Sequence, residues 1–331
     1  MERREVLAWG LGCLAAGVSM HPAPAESKYP EHPIRLIVPF GPGGTNDTIG
    51  RLWADRVKLT LGPVLVENQG GAGGLVAGAT VARAHPDGHT LLLGGGASQI
   101  LVAAAANRTA YDPARDFAPV SILVVTALSI AIHPSVPAQN LKELVQYAKA
   151  NPGKLSYASS GAGSVTHLTG ELFKSLTGTA DIVHVPYKGG GQSITDLISG
   201  HVPMIIVSIN GQLLDLHQAS KARILAVTTP QRVSAAPDIP TAVEAGVPGM
   251  ISQNFIGLFA PAGTPKAVIE QIASATRIAM ADDEFRANLI ASGFEPYPDS
   301  SPEEAQRFIE SEANRLAPVI KALGFEGGVS R

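Results

Sequence analysis

Cysteine is nearly absent from this chain of 331 residues, which contains a single one, Cys13. Because Cys13 lies inside an N-terminal apolar stretch of the kind that is removed on export, we expect the mature protein to contain no thiol. A disulfide scaffold, a cysteine metal site and a thiolate nucleophile are thereby excluded. The fold must rest on an ordinary hydrophobic core, for which the hydrophobic content of 45% is sufficient.

Aromatic side chains and surplus positive charge are also scarce. Phe, Trp and Tyr make up 5% of the residues, and 25 Lys and Arg oppose 28 Asp and Glu, a formal net charge of -3. A nucleic-acid-binding protein needs cations against the phosphate backbone, and many also need aromatic rings that stack on bases. Neither is plentiful here, so nucleic acid is not an expected partner.

The N-terminal 25 residues have the pattern of an export signal. Arg3 and Arg4 precede an apolar stretch, Val6–Val18, and small residues follow at Ala23–Ala25. We therefore predict a signal peptide over residues 1–25, cleavage near Ala25 and a periplasmic mature protein. The apolar stretch is short for a membrane anchor, since the hydrocarbon core of a bilayer is about 30 Å thick. The paired arginines leave the export route open between general secretion and twin-arginine export.

The rest of the chain alternates between short apolar runs and segments with helical spacing. An apolar run at 34–38 ends at Pro39, for example, and helical spacing follows up to the Gly62–Pro63 pair. Such alternation with short loops predicts an α/β fold with parallel sheets covered on both faces. The predicted strands are 34–38, 64–66, 90–93, 155–158, 182–185, 204–208 and 223–228, and the predicted helices are 48–61, 75–84, 141–150, 166–176, 193–199, 265–278 and 301–323.

Glycine-rich loops follow five of these strands. They are Gly41–Gly44, Gly70–Gly74, Gly94–Gly96, Gly161–Gly163 and Gly189–Gly191. In a parallel sheet such loops lie at the carboxyl ends of the strands, where ligands bind. The helix after each loop offers unpaired N–H groups and a positive dipole end, so the pattern favours an anionic ligand.

Known cofactor and nucleophile motifs do not match these loops. None has the spacing of a dinucleotide fingerprint or of a phosphate-binding P-loop, and no G-x-S-x-G elbow or H-E-x-x-H zinc motif is present. His85 and His89 are four residues apart, but the Pro86–Gly88 turn between them keeps them off a common helix face. We therefore predict no cofactor and no metal site.

Two loops of similar design each open a long helix. Residues 38–47 and 159–167 contain neither Lys nor Arg, so a carboxylate held there would be bound by amides, hydroxyls and helix dipoles. The competing interpretation is a pair of tight turns with Ser or Thr caps. Ser164 and His167 could also form a nucleophile and a base, which keeps an exported hydrolase as an alternative, although no orienting acid is identified.

Many short segments, in order along residues 26 to 324, resemble the Bug family, the solute-binding receptors of tripartite tricarboxylate transporters. The matching segments span nearly the whole of that range, so the resemblance is more specific than any one motif. They include Tyr29–Pro30, Ile34–Gly44 and Asp47–Thr48, Glu67–Asn68 with Gly71–Gly74, Tyr111–Pro113 with Asp116–Val120, Ser160–Ser164 with His167–Leu168, His184–Gly189, and Gly257–Pro265.

This resemblance implies two α/β domains hinged around a ligand cleft, as in a Venus-flytrap periplasmic binding protein. We expect one domain from 26–123 with 252–331 and the other from 124–251. The receptor is expected to be a monomer that captures a small organic carboxylate for membrane transporter subunits and has no catalytic residue. The expected ligand-binding residues are Phe40, Gly41, Pro42, Gly43, Gly44, Thr45, Asp47, Ser160, Gly161, Ala162, Gly163, Ser164, Thr166, His167, Tyr187, Gly190, Val207 and Ser208.

Three departures from the family pattern bear on the ligand. The chain has Gln69–Gly70 where the family commonly has Arg-Pro, and Gly41–Pro42 where it often has Pro-Pro. Val207 lies where many family members have an acidic residue that could suit a ligand amine, so an amino acid is a less expected ligand. The sequence does not name the carboxylate. It also leaves open a sensor role, in which the loaded receptor signals to a membrane kinase.

Overall fold

The computed structural model describes residues 29–101, 110–297 and 300–324, so the predicted signal peptide lies outside the described residues. Strands and helices alternate along most of the chain, as the apolar runs and helical spacings predict. The strands are β1 (Ile34–Val38), β2 (Val64–Asn68), β3 (Thr90–Gly95), β4 (Phe117–Ile132), β5 (Ser156–Ser159), β6 (Val183–Pro186), β7 (Met204–Ser208), β8 (Arg223–Val227), β9 (Gln253–Pro261) and β10 (Glu295–Pro296). The helices of eight residues or more are α1 (Thr45–Leu61), α2 (Leu75–Ala82), α3 (Leu141–Ala150), α4 (Val165–Thr177), α5 (Gly190–Ile198), α6 (Gly211–Gln218), α7 (Lys266–Ala281), α8 (Asp283–Ala291) and α9 (Pro302–Ala322).

The sheet is mixed rather than wholly parallel. Its order is β2-β1-β3-β9-β4-β7-β5-β6, with β8 and β10 pairing to β4 off this path. The predicted strands β1, β2 and β3 pair in parallel, as do β5, β6 and β7. The expectation of parallel pairing throughout is wrong for β4 and β9, which pair antiparallel with each other and with their other neighbours.

Strand β4 connects the two parts of the sheet. Its residues Phe117–Ala127 pair with β9, whereas Leu128–Ile132 pair with β7 and β8. We call β1, β2, β3, β9, β10 and their helices the first lobe, and β5 to β8 and their helices the second lobe. The chain returns to the first lobe beside the same point of β4, where Thr228 N donates to Leu128 O at 2.9 Å and Ser252 N to Thr228 O at 2.8 Å. The domain boundaries expected at 123/124 and 251/252 stay predictions. The first lies four residues before the change of partners in β4, and the second lies directly before Ser252.

Each lobe has apolar side chains packed on both faces of its strands. In the first lobe, Trp53 and Phe285 belong to the core on one face and Phe259 to the core on the other. In the second lobe, Tyr157 and Ile205 belong to opposite cores in the same way. This burial fixes the strands and leaves their end loops to form a site. None of the helices in the described ranges is long and apolar enough to cross a membrane.

Candidate ligand-binding cleft

A cavity of about 630 Å³, part of it open to solvent, lies between the lobes. Nine of the residues expected at the ligand line it: Phe40, Gly44, Thr45, Ser160, Ser164, Thr166, Gly190, Val207 and Ser208. Eleven further lining residues were not expected there: Pro39, Asn46, Gly73, Gly74, Gly95, Gly96, Ala97, Ser98, Val165, Asn210 and Asn254. None of the lining residues in the described part of the chain is charged, so recognition in this cavity depends on amides, hydroxyls and apolar contacts.

The N-termini of helices α1, α4 and α5 lie at this cavity. Helices α1 and α5 have glycine N-caps, Gly44 and Gly189, which have no side chain to cap the first N–H groups. A Cβ atom on Gly44 would lie 3.8 Å from the amide nitrogens of Gly190 and Gly191, so the two helices start side by side across the cleft. Helix α4 starts at Val165, which also lines the cavity. Unpaired N–H groups and three positive dipole ends therefore converge on one space.

Half of the expected ligand-binding residues do not line the cavity, and some of these lie at its mouth, where the loops of the two lobes meet. Gly41 N donates to Lys188 O in the other lobe at 3.1 Å. A Cβ atom on Gly73 would lie 2.6 Å from Ala162 O, and one on Gly191 would lie 3.0 Å from Pro42 O. The lobes thus meet backbone to backbone at the mouth of the cavity. The expected residues outside the lining are Gly41, Pro42, Gly43, Asp47, Gly161, Ala162, Gly163, His167 and Tyr187.

Asp47 supports the loop between β1 and α1. Its carboxylate is buried, accepts a hydrogen bond from Gly43 N at 3.0 Å and forms an ion pair with Arg51 at 2.9 Å. Burial alone would raise the pKa of Asp47, but the bonds from Arg51 and Gly43 outweigh it and hold the pKa below its usual value. Asp47 is therefore ionised and neutralised by Arg51, and it fixes the loop rather than facing the cavity.

The hydroxyl of Ser164 supports the second loop. Ser164 Oγ donates to Gly161 O at 2.7 Å and caps α4 by accepting from His167 N at 3.2 Å. It also lies 2.8 Å from Thr166 Oγ1. Ser164 Oγ contacts the main chain of His167, whereas the Nδ1 atom of the His167 ring accepts from Gly163 N at 3.2 Å. This arrangement differs from the nucleophile and base pair that an exported hydrolase would need.

The N–H groups of this loop are largely paired inside the loop. Those of Gly161, Gly163 and Ser160 donate to the side chains of Ser159, His167 and Thr166, respectively. Because Ser164 caps the third N–H of α4, the N–H groups of Val165 and Thr166 remain in the first turn for a ligand. The glycines shape the loop, and the helix start provides the donors.

Two stacked histidines lie behind the second loop. The rings of His167 and His184 are 3.9 Å apart and inclined by 9°, and Tyr157 stacks on the far side of His184 at 4.9 Å. Ser159 Oγ, which pairs with Gly161, lies 2.7 Å from His184 Nε2. Burial lowers the pKa of His184 to about 4, with a further decrease from His167, and burial also lowers the pKa of His167. Both rings are therefore neutral at pH 7.

Asn254, Asn210 and Ser208 form the wall nearest the lobe crossing. The sequence offered one signal for Asn210, an asparagine in the N-cap position of α6 directly after a strand. Asn254 could not be found, because β9 itself was not predicted. Among the described residues, no group of three or more His, Asp or Glu side chains is arranged to hold a metal ion.

Comparison with known proteins identifies the type of protein. The model of the tripartite tricarboxylate transporter family receptor matches residues 49–325. The chain belongs to this receptor family. A relative of the receptor, a UPF0065 protein of Bordetella pertussis, is 38% identical to it over 319 residues, which are 96% of either chain. The resemblance to the family is thereby confirmed.

Solved structures confirm the periplasmic-binding-protein architecture of the receptor. The periplasmic binding protein BugD matches it with a TM-score of 0.85 and 32% identity, over 90% of the receptor and 99% of BugD. MatC from Rhodopseudomonas palustris, solved with bound malate, matches with a TM-score of 0.83 and 31% identity, over 88% of the receptor and 100% of MatC.

Proposed function

We propose that the receptor captures a small organic carboxylate in the periplasm and delivers it to a tripartite tricarboxylate-type membrane transporter, without catalysis. The observation that carries this proposal is the convergence of the α1, α4 and α5 N-termini on an uncharged cavity between two lobes. Helix N-termini bind anions through unpaired N–H groups and a positive dipole end. The malate bound to MatC agrees with a carboxylate ligand.

The ligand carboxylate is proposed to bind at the helix starts rather than at the loop glycines. The N–H groups of Val165 and Thr166 on one side and of Thr45 and Asn46 on the other are first-turn donors without an intrahelical partner. Those of Gly43 and Gly163 are already paired with Asp47 and His167. Preorganised N–H donors bind a carboxylate through charge-assisted hydrogen bonds and need no cation.

The second loop lacks the geometry of a catalytic serine site. A serine nucleophile needs its hydroxyl directed at a base, but the Ser164 hydroxyl donates to Gly161 O. The side chain of Ser164 is also almost fully buried, at 1% exposure. We propose that Ser164 holds the loop in shape and that the ligand leaves the receptor chemically unchanged.

The periplasmic location of the mature chain rests on the predicted signal peptide. Cleavage near Ala25 would give a mature protein that begins at Glu26. The intact mass of the protein from a periplasmic extract would test this, and retention of residues 1–25 would contradict it. The monomeric state stays a prediction that light scattering of the same sample can check.

Ligand binding is tested by native mass spectrometry of the purified receptor, followed by isothermal titration with mono-, di- and tricarboxylates. We expect an unmodified acid to be recovered and to bind in titration. Gly190→Val should abolish binding, because the side chain would enter the cavity beside Val207 and Ser160. Gly211→Val is the matched control, since Gly211 is also the first residue of a helix but does not line the cavity. If no carboxylate binds, or if Gly190→Val binds as well as Gly211→Val, the proposal is wrong.

A further inference from the structure

A second groove lies where the lobes join, on the face of the joining strands opposite the ligand cavity. Thr126 of β4 and Asn254 of β9 pair in the sheet and face the cavity, since Asn254 lines it and Thr126 Oγ1 lies 3.3 Å from Ser208 Oγ. The residues next to them, Val125 and Gln253, line the second groove, which has a volume of about 720 Å³ and is partly open to solvent. Successive residues of a strand point to opposite faces of a sheet, so the joining strands separate the two spaces. We call the second space the back groove.

Both lobes contribute residues to the back groove. Val125, Gln253 and Glu295 lie on the first-lobe side of the crossing, where β10 pairs Glu295 with Val125. The segment 229–234 lies on the other side, because Val233 is buried in a core of the second lobe. A change in the angle between the lobes must therefore change the width of this groove.

One carboxylate bridges the back groove. Glu295 Oε1 accepts a hydrogen bond from Ser234 N at 2.8 Å, and Glu295 Oε2 accepts one from Ser234 Oγ at 3.2 Å. Arg232 lines the same groove but pairs with Glu244 at 2.9 Å, within its own lobe. Both oxygens of a first-lobe side chain are thus bonded to one residue of the second lobe. We call these two bonds the strap.

The strap is formed in the orientation in which the lobes meet at the mouth of the cavity. In the same structure, Gly41 N donates to Lys188 O across the mouth at 3.1 Å. Because the cavity and the back groove lie on opposite faces of the joining strands, a rotation that opens the cavity narrows the back groove. The strap is already at hydrogen-bond length, so this rotation would displace Ser234 from its position on Glu295. The strap therefore favours the orientation in which the lobes meet.

We propose that Glu295 is a positioning residue for ligand capture, which holds the lobes in the ligand-binding orientation from the back groove. Glu295 does not line the cavity. The apparent affinity of a receptor depends on the fraction of molecules in the binding-competent orientation, so the strap raises the affinity for every acid by the same factor. This inference rests on the proposed function, because it assumes that the cavity encloses the ligand. It adds a residue and a surface that regulate the cavity from outside.

The first test removes the strap. The unaltered receptor is titrated with mono-, di- and tricarboxylates, with malate, adipate and citrate among them, and the acids that bind are titrated into Glu295→Ala. We expect the dissociation constants of these acids to rise by a common factor of about 3 to 10, the effect of losing hydrogen bonds that favour one orientation. Glu143→Ala is the matched control, because Glu143 accepts from Gln139 N and Asn140 Nδ2, both at 2.7 Å and within one lobe. Its dissociation constants should not change, even if both variants lose the same stability.

The second test fills the back groove. Gln231 is exposed and lines the groove, so the larger side chain of Gln231→Trp occupies space that opening of the cavity would need. We expect this variant to bind the same acids about 3-fold or more tighter, because the open orientation becomes less populated. Gln139→Trp is the matched control, since Gln139 is exposed in a loop of the same lobe and does not line the groove. A general loss of structure would not raise the affinity.

The outcomes separate this inference from the proposed function. If no acid binds the unaltered receptor, the proposed function fails and this inference fails with it. If acids bind but Glu295→Ala matches Glu143→Ala, or if Gln231→Trp binds no tighter than Gln139→Trp, only the role of Glu295 and the back groove is overturned. A loss confined to one acid would also overturn it, because it would indicate a direct contact with that ligand. Glu295→Gln should restore most of the affinity, since its amide can accept from Ser234 N and donate to Ser234 Oγ. Where Glu295→Ala does not fold, the two tryptophan variants decide the question.

Discussion

His167 and His184 show how a side chain outside the cavity can determine the shape of its wall. His167 Nδ1 accepts a hydrogen bond from Gly163 N, and His184 Nε2 is hydrogen-bonded to Ser159 Oγ. Ser159 Oγ also accepts a hydrogen bond from Gly161 N. Both contacts are compatible with the neutral rings that burial enforces. Protonation of His167 at Nδ1 would replace an acceptor by a donor and break the bond to Gly163.

Stability should therefore decrease in mildly acidic solution. A histidine whose pKa is about 4 in the folded protein and 6.5 otherwise binds fewer protons when folded, so its contribution is complete above pH 6.5 and is lost as pH falls toward 4. We expect the free energy of unfolding in urea to be lower at pH 5 than at pH 7. His184→Gln should reduce this difference, whereas His201→Gln should not, because the side chain of His201 is 75% exposed. An unchanged difference in His184→Gln would contradict the prediction.

Ser164 provides a second prediction at this scale. If its hydroxyl supports the loop, Ser164→Ala should lower the free energy of unfolding of the ligand-free receptor by about 0.5–2 kcal/mol, the usual effect of losing an N-cap. Thermal or urea unfolding without ligand measures this loss. A direct ligand contact would behave differently, because the unfolding of the ligand-free protein would not change and only the affinity would fall. Ser301→Ala, which removes the equivalent cap from α9, is the control for the size of the effect.

At the scale of elements, the loops after the strands were the most predictable part of the site. A glycine-rich loop between a buried strand and a helix places backbone at a sheet edge, and four of the five such loops contribute residues to the cavity lining. The fifth, at Gly161–Gly163, closes the mouth instead. Which N–H groups remain for a ligand was not predictable, because that depends on side chains such as His167 that fold back onto the loop.

Strands β4 and β9 were missed for a different reason. Most of the 16 residues of β4 are buried, so the segment shows no alternation of apolar and polar residues, and Pro119 interrupts it. Strand β9 is likewise buried over most of its length. Without these two strands, the sequence predicts neither the lobe crossing nor the position of Asn254 at the cavity, although it predicts the α/β class correctly.

The glycine contacts between loops of different lobes lead to a prediction about closure. Gly73 has a φ of +64° and would place a Cβ atom 2.6 Å from Ala162 O, so Gly73→Ala should strain the closed form as well as the loop. Gly153→Ala is the matched control, because its φ is +71° and its Cβ would meet nothing within 4 Å. Both variants should lose stability from the backbone strain alone, by about 1 kcal/mol.

The difference between the two variants reports the effect of a methyl group at the cleft, because Gly73 contacts the other lobe and lines the cavity whereas Gly153 does neither. Titration with the identified acid should show a loss of affinity of about 10-fold in Gly73→Ala, since overpacking costs about 1–3 kcal/mol and is felt only when the lobes meet. Gly153→Ala should bind as the unaltered receptor does. Equal affinities in the two variants would show that closure does not require this contact.

At the scale of the whole molecule, the lobes are joined by two neighbouring stretches of backbone. Strand β4 changes partners between Ala127 and Leu128, and the return crossing at Thr228 and Ser252 is hydrogen-bonded beside it. Two crossings at one place allow rotation of one lobe against the other, and the loops at the mouth contact each other when the lobes meet. This arrangement suits a hinge that opens to admit a ligand and closes on it.

A hinge of this kind predicts that the bound acid compacts the protein. The radius of gyration from small-angle scattering should decrease on addition of the identified carboxylate. The same ligand at 100 times its dissociation constant should raise the free energy of unfolding by about 2.7 kcal/mol, visible as a higher melting temperature. A stabilising ligand that leaves the radius of gyration unchanged would indicate a receptor that is already closed when empty.

The uncharged lining of the cavity has a consequence for the kinetics of capture. Charged surfaces accelerate the encounter of oppositely charged molecules, and that acceleration disappears when salt screens it. A receptor with a net charge of -3 and a lining of neutral side chains has only the partial charges of its helix ends, and no charged side chain of the lining, to attract an anion. Stopped-flow measurements should give association rates that change little between low and high ionic strength. Retention of the ligand would then come from slow dissociation after closure. The receptor would therefore capture its ligand equally well at low and at high ionic strength.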